Sequence, residues 1–307
     1  MKPQLSLLLV AHNQAAYLPE TLASLRAQTI GIDNLEVVLI DDASTDTTGE
    51  QLDAFSKERP FSKVGHVSFR NVGKARNAAL ALATAPYLMF VDGDDVLASN
   101  ACELLLKAAQ EKSAEMVVTA LHRFRGALIP QRAKTAVFSP IEITAFWEEL
   151  LRHQHHMGHL TGCLFSRRLF ETLRFPEMGC YEDIFIALDL LDQSPRILIS
   201  DTPIYFYRQH EKSLSTVLND TKAKNMLLVL AKLKGNIKSV YQQRLFEALC
   251  VKQCRILLDN VEDLSYDSRS GIKSLMEAIS PRTFLLSPHV RISRKFLFVK
   301  NKRELRR

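Results

Sequence analysis

The feature that most limits the possible folds is the regular alternation of apolar runs and helix-like segments in the first third of the chain. Runs with the length of buried strands alternate with segments of helical spacing over residues 5–10, 18–28, 35–40, 47–57, 64–69, 73–84 and 87–91. Such alternation predicts a parallel sheet with helices on both faces. We therefore expect an α/β fold with a mostly parallel central sheet flanked by helices.

The pattern changes further along the chain. Additional strands are predicted at residues 115–120, 161–165, 197–199 and 204–208, additional helices at 101–112, 141–156, 167–173 and 184–191, and a loop or hairpin at 121–140. From about residue 221 only helical spacing remains, with one stripe from Leu227 to Val240 and a second over residues 245–258. This change predicts a domain over residues 1–218 and a C-terminal helical extension over residues 219–307.

Composition narrows the class of protein. The chain has 307 residues, of which 47% are hydrophobic and 24% charged, so a sizeable core is expected. The apolar run at residues 5–10 is too short for a signal peptide, and no apolar run has the length of a membrane span. We therefore expect a cytoplasmic protein. Five scattered cysteines do not suggest a disulfide framework.

The positive charge is concentrated near the end of the sequence. The net charge is +6, and residues 288–307 contain eight Lys or Arg and one acidic residue. Between these cations, Ile292, Phe296 and Val299 follow helical spacing, which is typical of a helix that lies on an anionic membrane. A solvated terminus is the alternative. Because the rest of the chain is near neutral, we expect no nucleic acid partner.

Polar residues follow three of the predicted strands. They are His12 and Asn13, then Asp41 and Asp42, and then residues 92–95 with the sequence DGDD. Ligands of open parallel sheets bind beyond the carboxyl ends of the strands, so these segments form a candidate site. Clustered carboxylates suit Mg²⁺ or Mn²⁺, although helix caps and turns use the same residues. No dinucleotide-binding or P-loop glycine pattern is present.

At this point the chain resembles the family 2 glycosyltransferases of the GT-A fold, from about residue 5 to residue 215. The resemblance rests on six segments in order, which are LLLVAHN (7–13), IDDASTD (40–46), NVGKARN (71–77), FVDGDD (90–95), YED (181–183) and YRQH (207–210) with Ser213 and Ser215. It implies a nucleotide-binding half over residues 1–100 and an acceptor-binding half over residues 101–218.

The resemblance also implies roles for individual residues. Asp183 acts as the general base beside Glu182, and Asp42 reads the nucleotide base, with uracil favoured. Asp94 binds the divalent metal, Mn²⁺ or Mg²⁺, with Asp92 and His210 as further ligands. The remaining residues expected to contact the nucleotide-sugar donor are Ala11, His12, Asn13, Asn71, Gly73, Arg76 and Gly93, with Asp92 near the ribose.

Two of these roles have alternatives in the sequence itself. The pair Glu182 and Asp183 opens a predicted amphipathic helix, where acidic residues also stabilise the helix dipole. A histidine that follows a strand, as His210 does, is often structural.

The implied activity is that of an inverting glycosyltransferase, a hexosyl- or N-acetylhexosaminyltransferase. It would move a sugar from a UDP-sugar to a hydroxyl of a glycan or lipid-linked acceptor in surface polysaccharide synthesis. A peripheral position on the inner face of the cell membrane fits such an acceptor. The alternative is an inactive domain that binds a nucleotide sugar or a glycan. A nucleotidyltransferase is disfavoured because the chain lacks that class's glycine-rich opening loop.

One further segment leaves its function open. Four histidines, His153, His155, His156 and His159, lie close together, and the pair at positions 155 and 159 has the spacing of a shared metal on a helix. No carboxylate or cysteine completes such a site, so a polar wall of the acceptor pocket is favoured over zinc. Trp147, in the same region, suits either sugar stacking or the core.

Overall fold

A computed structural model describes residues 2–129, 131–134, 136–152, 158–194, 196–210 and 218–305. The chain divides into two compact units. The first comprises Met1–Ile143 with Gly158–Glu211, and the second comprises Thr144–Met157 with Lys212–Arg307. The first unit contains the β-structure, and helices build the second.

Over the described residues, eleven strands form two sheets. They are β1 (Leu5–Ala11), β2 (Glu36–Asp42), β3 (Ser62–Val67), β4 (Tyr87–Asp92), β5 (Val96–Leu97), β6 (Met116–Thr119), β7 (His122–Phe124), β8 (Ser139–Ile141), β9 (Leu164–Ser166), β10 (Ile197–Ser200) and β11 (Tyr205–Arg208). The large sheet has the order β3-β2-β1-β4-β9-β6-β10-β8, and the small one the order β5-β11-β7.

The four strands of the first third form the parallel half of the large sheet. β1 pairs in parallel with β2 and with β4, and β2 pairs in parallel with β3. Every residue of β1 and β2 is buried, because helices cover both faces of this half. The predicted alternation of strands and helices is therefore confirmed. Beyond β4 the sheet is mixed, since β9 runs antiparallel to both of its neighbours.

The expectation of a simple loop or hairpin at residues 121–140 is wrong. This segment contains β7 and leads into β8, but the two strands belong to different sheets. β7 pairs with β11, and β8 pairs with β10. Each strand pairs with a strand that follows it by more than fifty residues in the chain, and local sequence carries no record of such long-range pairing.

Helices connect the strands and continue to the C-terminal region. They are α1 (Leu18–Arg26), α2 (Thr48–Lys57), α3 (Val72–Leu82), α4 (Ala101–Glu111), α5 (Ile143–Arg152), α6 (Glu182–Gln193), α7 (Asp220–Gly235), α8 (Val240–Asn260), α9 (Tyr266–Glu277), α10 (Pro281–Leu286) and α11 (Ile292–Glu304). The helix predicted at residues 167–173 is a short 3₁₀ turn, Arg167–Phe170.

The second unit contains most of α5 together with α7 to α11. Residues 144–157 therefore group with the C-terminal helices, although the predicted boundary lies at residue 218. The stripe predicted from Leu227 to Val240 does not form. α7 ends at Gly235, and Val240 begins a new helix that Ser239 caps through its side chain, which leaves Val240 exposed. None of the described helices has the length and hydropathy that a membrane crossing requires.

Candidate active site

The carboxyl ends of β1, β2 and β4 meet at one edge of the large sheet. In the register of these strands, Val10 lies beside Asp92 and Ala11 lies beside Asp41. The three polar segments that follow the strands are thereby brought together, as parallel topology requires. Three of the five described non-glycine residues with positive φ follow β1, β2 and β3, namely Asn13 (51°), Ala43 (58°) and Arg70 (48°). Strained backbone of this kind often accompanies functional sites.

Asn13 joins the loop after β1 to the loop after β2. Its backbone N–H donates to Ser44 Oγ at 2.9 Å, and its side-chain oxygen accepts from the backbone N–H of Thr45 at 2.7 Å. The backbone N–H of Ala15 donates to Asp46 Oδ2 at 3.1 Å. The side-chain oxygen of Asn13 therefore holds the two loops together at the rim of the site. A ligand that contacts Asn13 directly must use its other polar atoms.

Asp42 holds the loop that precedes α3. Its carboxylate is buried and accepts backbone N–H groups from Phe69, Arg70 and Asn71 at 2.6, 2.8 and 2.8 Å. The carbonyl of Asp42 lies 2.6 Å from His12 Nδ1. Since three backbone donors already occupy the carboxylate, any ligand that binds here must use its remaining lone pairs.

Asn71 and Gly73 place the start of α3. Asn71 caps the helix, because its side-chain oxygen accepts from the backbone N–H of Lys74 at 3.0 Å. A Cβ atom at Gly73 would lie 2.3 Å from the carbonyl oxygen of Pro176. Glycine therefore permits close contact between α3 and the loop before α6, a purpose that the sequence alone did not reveal.

Arg76 of α3 is the centre of a charge cluster with Asp92 and Glu182. Arg76 is 4% exposed, and its guanidinium donates to Asp92 Oδ1 at 3.0 Å and to Glu182 Oε1. Burial by itself lowers the pKa of Arg76, but the facing carboxylates raise it above its usual range. With Asp183 nearby, three carboxylates share one guanidinium, so the cluster carries excess negative charge. Such an excess attracts a cation or a proton.

Glu182 and Asp183 occupy the first turn of α6, directly after Tyr181, whose φ is 64°. Burial raises the pKa of Glu182 to about 7 and also raises the pKa of Asp183. Glu182 is buried on Arg76, whereas Asp183 is only half-buried and accepts the backbone N–H of Ile184 at 2.7 Å. Of the two carboxylates, Asp183 is the more accessible to a substrate.

The second aspartate of the DGDD segment faces a histidine. Asp94 Oδ2 lies 2.8 Å from His210 Nε2, and the ring of His210 stacks on Tyr17 with centroids 4.5 Å apart. Burial and the charge of Asp92 raise the pKa of Asp94. Glycine at position 93 fits the close approach to β1, because a Cβ atom there would lie 2.9 Å from the Cβ of Ala11.

The third aspartate of the segment, Asp95, holds β11 in place. Its oxygens accept from the hydroxyl of Tyr205 at 2.6 Å and from the backbone N–H of Arg208 at 2.8 Å. Arg208 Nε in turn donates to the carbonyl of Asp94 at 2.7 Å, and Nη2 pairs with Glu20 at 2.8 Å. These contacts fix the strand that leads to His210. The roles of Tyr205 and Arg208 were missed, although Arg208 lies within the YRQH segment and Tyr205 lies two residues before it.

The donor set at Asp94 and His210 fits a divalent cation that takes its other ligands from substrate. The described residues contain no group of three or more His, Cys, Asp or Glu side chains placed to hold a metal ion. A buried carboxylate and an imidazole do face one another, and the Nδ1 atom of His210 has no hydrogen-bond partner among the described residues. Mg²⁺ and Mn²⁺ sites in phosphate-binding proteins commonly combine few side-chain ligands with phosphate and water oxygens.

Buried polar atoms without a partner occur at this edge as well as elsewhere in the part of the chain that the structure describes. Among the described residues, Gln14 Oε1, Arg76 Nε and His210 Nδ1 are buried without a hydrogen-bond partner. Buried polar atoms are rarely left unpaired in proteins, so each such atom calls for a partner. The three atoms border the DGDD segment or contact its aspartates, which indicates that a polar ligand completes this region.

The histidine-rich segment is described only in part. His153, His155 and His156 fall outside the described residues, as do Ser213 and Ser215. His159 is buried, with Nε2 2.7 Å from the carbonyl of Thr119. Trp147 is also buried, as expected of a core residue.

Comparison with known proteins identifies the class. Residues 6–174 match the model of glycosyl transferase family 2. Uncharacterized glycosyltransferase EpsJ of Bacillus subtilis is 27% identical over 71% of this chain, and succinoglycan biosynthesis protein ExoO of Rhizobium meliloti is 27% identical over 70%. Each match spans 64% of the relative's own length.

A solved structure supports the fold. The crystal structure of S. aureus TarS 1-349 in complex with UDP-GlcNAc superposes with a TM-score of 0.70, at 18% identity, over 99% of this chain and 90% of that chain. At this identity the likeness concerns the fold, and the predicted GT-A fold with C-terminal helices is confirmed.

Proposed function

Because the chain belongs to glycosyl transferase family 2, we propose that it transfers a sugar from a nucleoside-diphosphate sugar to a hydroxyl group of an acceptor. UDP is the favoured nucleotide, since TarS, which shares the fold, forms a complex with UDP-GlcNAc. A glycan or lipid-linked acceptor in surface polysaccharide synthesis is favoured by the similarity to ExoO. The transferred group is a hexose or an N-acetylhexosamine, and the proposed location is the inner face of the cell membrane.

The observation that carries this proposal is the excess of buried and half-buried carboxylates at one sheet edge. Asp92 and Glu182 both pair with Arg76. Asp183 instead accepts the backbone N–H of Ile184, and Asp94 faces His210. A site that binds a diphosphate through a cation needs such an excess before the ligand arrives. A purely structural role would leave the carboxylates better balanced by cationic side chains.

In the proposed mechanism Asp183 removes the proton from the acceptor hydroxyl as its oxygen attacks the anomeric carbon. The raised pKa of Asp183 makes it a stronger base than an ordinary carboxylate. Glu182 and Arg76 position this helix turn through their buried ion pair. One base without a second nucleophilic carboxylate is consistent with a single displacement that inverts the anomeric configuration.

The diphosphate leaving group is proposed to bind beside Asp94. Asp94, Asp92 and His210 would hold a divalent cation, Mn²⁺ or Mg²⁺, which supplies Lewis-acid stabilisation of the departing charge. Hydrogen bonds between Asp95 and Arg208, and between Arg208 and the carbonyl of Asp94, hold the DGDD segment against β11. Ala11, His12 and Asn13 line the rim where the nucleotide base is expected, with Asp42 behind them.

Calorimetric titration of UDP and GDP tests the proposal. We expect UDP to bind in the presence of Mn²⁺, to bind much more weakly in EDTA, and to lose its metal dependence in Asp94→Ala. Asp33→Ala serves as the matched control, because Asp33 is exposed on a separate 3₁₀ turn. Failure of every nucleotide to bind would contradict the transferase and leave a glycan-binding module; nucleotide binding without any sugar turnover would indicate an inactive binding domain.

A further inference from the structure

Helix α11 has a face that holds it to the second unit. Phe298 and Asn301 are buried, and Asn301 Nδ2 donates to the carbonyl of Val251 in α8 at 3.0 Å. Arg255 of α8 reaches Glu304 at 2.7 Å. This face fixes the rotation of α11 about its own axis and therefore decides which residues point outward.

The opposite face of α11 is apolar and uncovered. Ile292, Phe296 and Val299 are 71%, 72% and 54% exposed, and no described residue buries them. Their spacing of four and three residues places them in one stripe along the helix. Three large apolar side chains held in water on a single stripe cost free energy, so this face requires an occupant.

Cations border this stripe on both sides. With 3.6 residues per turn, Lys295 and Lys302 lie along one edge, and Arg303 continues the stripe. Lys302 Nζ also packs over the ring of Phe298 at 5.5 Å. Lys300 lies along the other edge, where it pairs with Asp259 of α8 at 3.6 Å. The acidic residue of the helix, Glu304, points elsewhere, since it pairs with Arg255. The surroundings of the apolar stripe are therefore positively charged.

We propose that this face of α11 docks on the surface of an anionic phospholipid bilayer. The apolar stripe enters the boundary between headgroups and acyl chains, and the flanking cations contact the phosphates. A stripe one helix wide is narrow for a stable protein interface, which buries about 800 Å² per partner around a packed core. A bilayer needs no matching shape, so it suits this face better than a folded partner.

The proposal is independent of the transferase activity, and sedimentation of the full chain with lipid vesicles tests it. We expect binding to vesicles that contain phosphatidylglycerol and little binding to pure phosphatidylcholine. Phe296→Ser should weaken binding about tenfold, because it removes one aromatic side chain that the bilayer would bury. Tyr266→Ser is the matched control, since Tyr266 is even more exposed, at 85%, but lies on α9, and it should bind like wild type.

Charge is tested separately with Lys295→Gln and Arg303→Gln, each of which should weaken binding to anionic vesicles about fivefold. Equal binding to neutral and anionic vesicles would overturn the proposal, as would unchanged binding by Phe296→Ser. Absence of vesicle binding, together with self-association that Phe296→Ser abolishes, would also overturn it and assign the face to a second copy of the chain.

Discussion

Asp183 and Glu182 are neighbours in the sequence, but their environments differ. Glu182 is buried against Arg76 and is held by an ion pair, so its movement toward a substrate would break a buried contact. Asp183 points from the same helix turn and is only half-buried. The same dipeptide thus supplies one carboxylate that positions the turn and one that is available as a base.

This division leads to a prediction for Asp183→Asn. We expect sugar turnover to fall by about 10²–10⁴, the usual contribution of a general base, while nucleotide binding stays close to wild type. Turnover is measured by release of UDP, and binding by calorimetry. Asp192→Asn, at the exposed end of the same helix, should retain full turnover. Near-normal turnover in Asp183→Asn would rule out this residue as the base.

At the scale of elements, the position of α3 depends on one glycine. The helix carries Arg76 one turn after its start, and the contact of Gly73 with the carbonyl of Pro176 sets how closely that start approaches the loop before α6. Because Arg76 links Asp92 to Glu182, a shift of α3 would move both carboxylates.

We therefore predict that Gly73→Ala lowers the free energy of unfolding by about 1–3 kcal/mol, the usual cost of an overpacked contact, and also lowers turnover. Urea denaturation and a turnover assay measure the two effects. Gly179→Ala provides the comparison, since a Cβ atom there meets no heavy atom within 4 Å. Equal effects in the two variants would show that close packing at Gly73 is unimportant.

At the scale of the whole molecule, the buried charge cluster makes stability depend on pH. Burial raises the pKa of Glu182 from 4.5 to about 7, with Asp183 adding to the rise and Arg76 opposing it. Between these values the folded state binds more protons than the unfolded state. The contribution of Glu182 to stability is therefore largest below pH 4.5 and is lost as the pH rises through about 7.

Glu182→Gln removes this titration. We expect the difference in unfolding free energy between wild type and Glu182→Gln to fall as the pH rises across the window, without added ligand. Urea denaturation at both ends of the window measures it. For Glu277→Gln, an exposed site on α9, the difference should stay constant. A difference that is flat or that rises for Glu182→Gln would contradict the raised pKa.

The order of strands and helices, the parallel half of the sheet and the edge where the aspartates meet were all predictable. Apolar runs and helical spacing are local properties, and the rule for parallel sheets converts them into a location. The family was predictable because six short sequence segments that occur in a fixed order are typical of it. Helix ends were predicted to within a few residues, but the stripe from Leu227 to Val240 was wrong, since spacing alone did not show the break after Gly235.

The sequence by itself determined the fold class and the cluster of acidic residues, because both follow from neighbours along the chain. Only the tertiary structure decided which aspartate does what. Asp42 holds a loop, Asp95 holds a strand and Asp94 faces His210, although all three lie at or just after the end of a strand in similar local sequence. Their partners lie from about thirty to more than one hundred residues away, and the role of a buried carboxylate is set by the donors that folding brings to it.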